Sequence, residues 1–244
     1  MSERHSNEFS WPKRVKTAGE AVRFIDAAGF CMLFPVKNVP LPSLYYAAAR
    51  RLPICWDKTT QMIWDWKDDL PLRRRAFYAK YFKARGTFIS LKFLPQFLTM
   101  RESAAGPGAA ADFYAAGRIT QDARVIWEAL AGEGPLATVE LRHACSMESA
   151  AGNARFKRAM LELQCLLIVT HFGAVQETEA WASNRFELVS RAFPKQFKQA
   201  RGITPEAARA VLAQKYRSLY PDVPVMQIAR LFGWPKAEAQ AALG

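Results

Sequence analysis

The chain has 244 residues, half of them apolar, and a formal net charge of +12. Its length suits one large domain or two to three small ones, and its apolar content excludes wholesale disorder. The charge says nothing about fold but narrows the partners to nucleic acid, anionic membrane or acidic protein.

Residues 1–15, beginning MSERHSNEFSWPKRV, read as a flexible polar arm with no signal-peptide core. Thr17-Ala18-Gly19-Glu20 is a capping-box pattern opening a helix that Gly29 stops. Phe30 to Val36 reads as extended, Pro40 and Pro42 break it, and a helix follows from Leu44 to Arg51. Residues 61–82 are expected to be largely helical, interrupted near Pro71, with Ile63, Trp66 and Leu70 inward. Lys67 is expected at the edge of that face with its ammonium reaching water, and Leu72, Ala76 and Ala79 in the core. Gly86 to Ser90 reads as extended and Leu91 to Met100 as helical.

Small residues and Gly106-Pro107-Gly108 mark residues 101–118 as a linker or long loop. The expected pattern beyond it begins with a helix over Asp122 to Leu130. A brief extended piece follows, and Thr138 caps a second helix. Gly152-Asn153 then forms a loop before a third helix from Ala154 to Leu166. LIVTHFG and RFELVSRAF read as two strands of a hairpin, which completes the winged-helix order. Thr204-Pro205-Glu206 starts the helices of a further helix-turn-helix. The fold class is therefore mainly α with small β hairpins, in a tandem winged-helix (helix-turn-helix) architecture. Its parts are an arm (1–15), an N-terminal winged-helix-like region (16–100), the linker (101–118), a winged helix (119–195) and a C-terminal helix-turn-helix region (196–244).

No phosphate loop, G-x-S-x-G or H-E-x-x-H occurs, and the four cysteines and three histidines lack metal-site spacing. Neither a metal nor a cofactor is expected, and the cysteines read as reduced thiols of a cytoplasmic protein. The apolar run Cys165 to Val169 is too short to span a membrane. Cations crowd residues 67–101, where Asp68 and Asp69 are the only acids. Arg73, Arg74, Arg75, Lys80, Lys83 and Arg85 are read as phosphate contacts. Trp64, Trp66, Tyr78 and Tyr81 at helical spacing are read as core, with base stacking the alternative. On the third helix of the middle region, Phe156, Met160 and Leu163 face inward. Arg155, Lys157 and Arg158 then face solvent or DNA, with Arg158 and Glu162 spaced as an ion pair.

The runs GEGPLATVELRHACS, ARFKRAMLELQCLLIVTHFG and RFELVSRAFP resemble the winged-helix module of the AlkZ/YcaQ-type DNA glycosylases and their AlkZ-related group. WDWKDDL, FYAKYF and FISLKFLP resemble a block upstream of that module in the AlkZ-related group. The resemblance implies tandem winged helices and DNA as partner. In the true enzymes it implies a β-barrel and hydrolysis of the N-glycosidic bond of alkylated or crosslinked bases without metal or cofactor. Those enzymes carry a glutamine-apolar-glutamine or glutamine-apolar-aspartate pair. The nearest counterpart here, Cys31 to Lys37, holds neither glutamine nor acid.

Three readings follow. A glycosylase-like protein would need a carboxylate or amide beside the sugar of a flipped base, for which Asp68 and then Asp65 are the candidates. A non-catalytic regulator or damage-responsive binder needs only the helix and the cations. A protein-interaction role for the winged helices is the third reading.

Overall fold

The computed structural model describes residues 11–105, 109–176 and 182–244. It is mainly helical, with two small antiparallel sheets. Helix α1 (Ala18–Ala28) begins as its sequence requires. The Thr17 hydroxyl accepts from the Glu20 amide at 3.2 Å, and the Glu20 carboxylate accepts from the Thr17 amide at 3.1 Å. Gly29, at φ 79°, ends it. Strand β1 (Phe30–Met32), helix α2 (Leu44–Ala49), helix α3 (Lys58–Leu72) and the hairpin β2 (Phe77–Lys80) and β3 (Gly86–Ile89) follow. The sheet order is β1-β3-β2.

Ile63, Trp66 and Leu70 are buried, as the spacing predicts. Several expectations for this stretch need correction, the first being that Trp64, read as core, is 38% exposed. The helix runs through Pro71, which lies in its last turn, and Phe77 to Lys80 is a strand. Its alternation was invisible because Phe77, Tyr78 and Ala79 are all buried. Lys67 is only 2% exposed rather than at the rim, and Leu72 is 42% exposed rather than in the core.

Helix α4 (Leu94–Met100) comes next, then α5 (Ala110–Ala115), which lies inside the segment read as a linker. Phe113 of α5 packs edge-on against Trp127, with ring centroids 5.3 Å apart. The earlier element order now recurs as α6 (Gln121–Glu133), β4 (Leu136–Ala137), α7 (Thr138–Ala144), α8 (Ala150–Cys165), β5 (Val169–Gln176) and β6 (Ala182–Leu188). Strand order β4-β6-β5 repeats that of the first sheet. Trp127, Phe156, Leu163 and Phe186 are buried, as expected for these helices and this hairpin.

The details differ from expectation in three places. Thr138 does not cap α7; its hydroxyl donates to the Asn184 carbonyl at 3.0 Å. Gly152 and Asn153 are helical, because Ser149 already caps α8 by accepting from the Gly152 amide at 3.0 Å. A Cβ on Gly152 would come within 2.8 Å of the Met147 backbone, so the approach of α7's exit turn to α8 requires glycine. Glu162 does not pair with Arg158; it accepts from the Thr120 amide and hydroxyl at 3.0 and 2.7 Å.

Helices α3 and α8 also end alike. Past α3, the Arg75 amide donates to the Leu70 carbonyl and the Arg74 amide to the Pro71 carbonyl, with Arg74 at φ 51°. Past α8, Ile168 donates to Leu163 and Leu167 to Gln164, with Leu167 at φ 57°. Both are left-handed closures that satisfy the last carbonyls. The chain finishes with α9 (Val189–Ala192), α10 (Pro194–Ala200), α11 (Pro205–Leu219), α12 (Val225–Phe232) and α13 (Lys236–Ala241). Each repeat has its own core, and a third core joins the first sheet to α4 and α10–α13. There Phe30 touches the rings of Phe82, Phe97, Tyr216 and Phe232. All four cysteines are free thiols. No helix among the described residues is long and apolar enough to cross a membrane.

Candidate nucleic-acid interface

Helices α3 and α8 occupy equivalent places in the two repeats but present opposite chemistry. Phe156, Ala159, Met160 and Leu163 bury one face of α8. The other face carries Arg155, Lys157 and Arg158, all exposed. Arg155 is held: its guanidinium makes two bonds to the Asp122 carboxylate, one of them 2.9 Å long. That bond pulls the Asp122 carboxyl below the usual aspartate range. Neither Lys157 nor Arg158 has an ion-pair partner among the described residues, so their charge is free for phosphate.

Helix α3 carries Asp65, Asp68 and Asp69, and one of its faces is covered by β5 of the second repeat. Strand β5 is fitted to it by a bulge between His171 and Ala174. There Gly173 takes φ 94°, and a Cβ on it would stand 3.2 Å from Leu72 Cδ2. The bulge brings His171 onto Asp68. Nδ1 of His171 lies 2.9 Å from Asp68 Oδ1, so that nitrogen carries the proton and donates. The Lys67 ammonium donates to Asp68 Oδ2 and, at 2.9 Å, to Asn184 Oδ1. It also stands 4.6 Å from the centroid of the Trp64 ring.

Burial drives the Lys67 ammonium below its ordinary pKa, against the pull of Asp68. His171, wedged between the rings of Tyr78 and Phe186, is likewise lowered by burial, opposed by its bond to Asp68. Both oxygens of Asp68 are thus engaged inside the protein. Asp65 is exposed on α3 and accepts from the Gln61 side chain at 2.7 Å. Sequence reasoning set His171 aside as isolated and never reached Asn184. Their partners lie 103 and 117 residues away, and no local pattern could have joined them.

The structure separates the remaining cations into two groups. Arg73, Arg74 and Arg75 surround the carbonyl end of α3, where the helix dipole favours positive charge. Arg73 pairs with Asp69 at 2.7 Å, and Arg74 donates to the Ala192 carbonyl at 2.8 Å. Lys80, Lys83 and Arg85 are exposed at the tip of the β2–β3 hairpin, while Tyr81 and Phe82 beside them are buried.

Next to that tip, between the first repeat and α12, runs a groove of about 1390 Å³. Its wall includes Pro35, Leu41, Tyr46, Leu52, Ile54 and Met226. Lys37, Arg50, Lys83 and Arg230 are its charged lining residues, and no carboxylate stands among the described residues that line it. Pro35, Val36 and Lys37, just past β1, lie in this wall. Asn38 and Gln227 supply amide groups to it. Among the described residues no group of three or more His, Cys, Asp or Glu could hold a metal ion.

A family model described as AlkZ related matches residues 15–233. No curated protein and no solved structure matches the chain.

Proposed function

The chain belongs to the AlkZ-related family, and from that membership we propose that it is a DNA-binding protein of tandem winged-helix architecture. The repeated order of helix, strand, two helices and hairpin, with the same strand order, supports the architecture. In this reading the second repeat meets DNA through α8, while α3, its counterpart, is spent on holding the repeats together. The hairpin tip with Lys80, Lys83 and Arg85 and the α3 end with Arg73, Arg74 and Arg75 supply further phosphate contacts. Damaged duplex, carrying alkylated or crosslinked bases, is the proposed target, and recognition without bond cleavage is the proposed role.

One observation carries the non-catalytic choice: both oxygens of Asp68 are bound to Lys67 and His171, so neither faces a sugar. A glycosylase is the second reading, and the groove favours it. The groove has room for an extruded base, and its uncharged polar groups include Asn38 and Gln227. On that reading those amides, and not Asp68 or Asp65, stand at the sugar.

Purified protein should be titrated with intact, alkylated and crosslinked duplexes over a range of salt, and the same mixtures assayed for abasic sites. Salt-dependent binding with no abasic product is the expected result. Abasic product lost on Gln227→Ala or Asn38→Ala would establish the second reading. Absence of any DNA binding would overturn both.

A further inference from the structure

The turn between α2 and α3 exposes three large apolar side chains within five residues: Leu52 at 45%, Ile54 at 44% and Trp56 at 62%. A loose loop would fold such groups inward; this one is held out. The Tyr45 hydroxyl accepts from the Cys55 amide at 3.2 Å and donates to the Pro53 carbonyl at 3.4 Å. The Thr60 hydroxyl donates to the Cys55 carbonyl at 2.5 Å, and Arg51 pairs with Asp57, which also caps α3. Polar contacts thus tie the turn to α2 and to the start of α3, while these apolar side chains stay about half exposed.

Behind the turn stands a ladder of rings. Trp56 meets Trp64 edge-on with centroids 5.7 Å apart, and Trp64, itself 38% exposed, stacks on Phe34 at 6.3 Å and 27°. Phe34 in turn leans on Tyr45, closing the ladder onto the residue that fixes the turn. Arg50, Arg51 and Lys58 flank the turn in sequence, with Asp57 the one carboxylate between them. Leu52 and Ile54 continue into the wall of the cationic groove.

We infer that Trp56, braced edge-on by Trp64, is a rigid stacking surface for unpaired nucleobases, with Leu52 and Ile54 as the wedge that keeps them unpaired. Every base has a π face that an aromatic ring can cover, and apolar side chains are what proteins insert between base steps. The flanking cations meet the phosphates on either side. This rests on the DNA-binding reading and deepens it: α8 takes paired duplex, and the turn takes bases that have left the stack. An anionic lipid surface would also suit a basic apolar tip. Planar rings held in a fixed ladder and joined to a groove without carboxylates favour the nucleobase.

The test uses the full chain with two labelled duplexes, one fully paired and one with a central bubble of mismatched thymines. Wild type should bind the bubble more tightly. Trp56→Ala should lower bubble affinity by about tenfold, the size of one base–aromatic stack, and leave paired affinity unchanged. Trp56→Phe should keep most of the preference, and Leu52→Ala with Ile54→Ala should reduce it. A 2-aminopurine placed in the bubble should lose fluorescence on wild type and keep it on Trp56→Ala. Equal affinity of wild type for both duplexes would overturn the platform, as would a loss in Trp56→Ala shared equally by both. So would Trp56→Ala that binds both duplexes like wild type but no longer sediments with phosphatidylglycerol vesicles. If paired binding survives and remains sensitive to charge reversal on α8, only the platform falls. If wild type binds neither duplex, the DNA-binding reading falls with it.

Discussion

Asp68 and His171 lie 103 residues apart in the chain and 2.9 Å apart in the fold. Their bond, with Lys67 on the other carboxylate oxygen, fastens α3 of the first repeat to the hairpin of the second. Asp68→Asn would leave the buried Lys67 ammonium without its counter-charge. Removing one partner of such a pair costs roughly 3 kcal/mol or more, readable as a shift in the urea midpoint. A variant that unfolds like wild type but loses a base-excision activity would instead make Asp68 catalytic.

The same cluster sets a pH dependence. Burial holds the His171 pKa below its unfolded value of about 6.5. Lys67 and Lys80 push it the same way, and Asp68 opposes them. As pH falls through about 6.5 the unfolded chain takes up a proton that the folded one refuses, so stability drops towards acid and levels off below the folded pKa. Urea midpoints measured from neutral to mildly acidic pH should therefore decline more steeply in wild type than in His171→Gln. Parallel declines would show that other groups govern the acid limb.

On α8 the partly neutralised Arg155 and the free Lys157 and Arg158 make distinct predictions. Lys157→Glu with Arg158→Glu should weaken DNA binding and reduce the slope of log affinity against log salt by roughly 2, at 0.9 per phosphate contact. Asp122→Asn should release Arg155 and strengthen binding. An unchanged slope in the double variant would turn this helix away from DNA.

Trp66 and Trp64 are two residues apart and should behave differently. Trp66 is buried beside Ile63 and Leu70, and Trp66→Ala should cost roughly 3–5 kcal/mol. Trp64 is part-exposed, so Trp64→Ala should cost less than Trp66→Ala while weakening binding to unpaired bases. Thermal melts of the two variants side by side decide it, and equal losses would contradict the assignment of Trp66 alone to the core.

What the sequence makes legible is what depends on neighbours. The Thr17–Glu20 box, the inward face of α8 and the pairing of two strands after it follow from spacing within one or two turns or along one strand, although the second run, read as a strand to Phe193, turns helical at Val189. What it hides depends on distant partners. Lys67 reads as a rim cation because its acceptor Asn184 and the wall behind it belong to the second repeat. FYAKYF reads as helix because β2 is covered on both faces and shows no polar alternation. The groove draws its wall from Trp11, Phe24 and residues 35–54, 82–83 and 220–231, so no window of sequence contains it. The turn at 52–56 carries no motif, and only the fold shows its apolar side chains half exposed.

The two left-handed closures carry a lesson for engineering. A side chain in that conformation costs about 1 kcal/mol that glycine would avoid, so glycine is the obvious stabilising substitution at both. At Leu167 it should fail, because the side chain is fully buried and its removal would leave a void. At Arg74 the side chain is exposed and holds one carbonyl of α9 and the face of Phe172. Arg74→Gly should therefore leave the melting temperature level or raise it while DNA affinity declines. On the DNA-binding reading, thermostability and binding would then pull in opposite directions at a single position, and selection for a hardier variant would drift towards one that grips DNA less well.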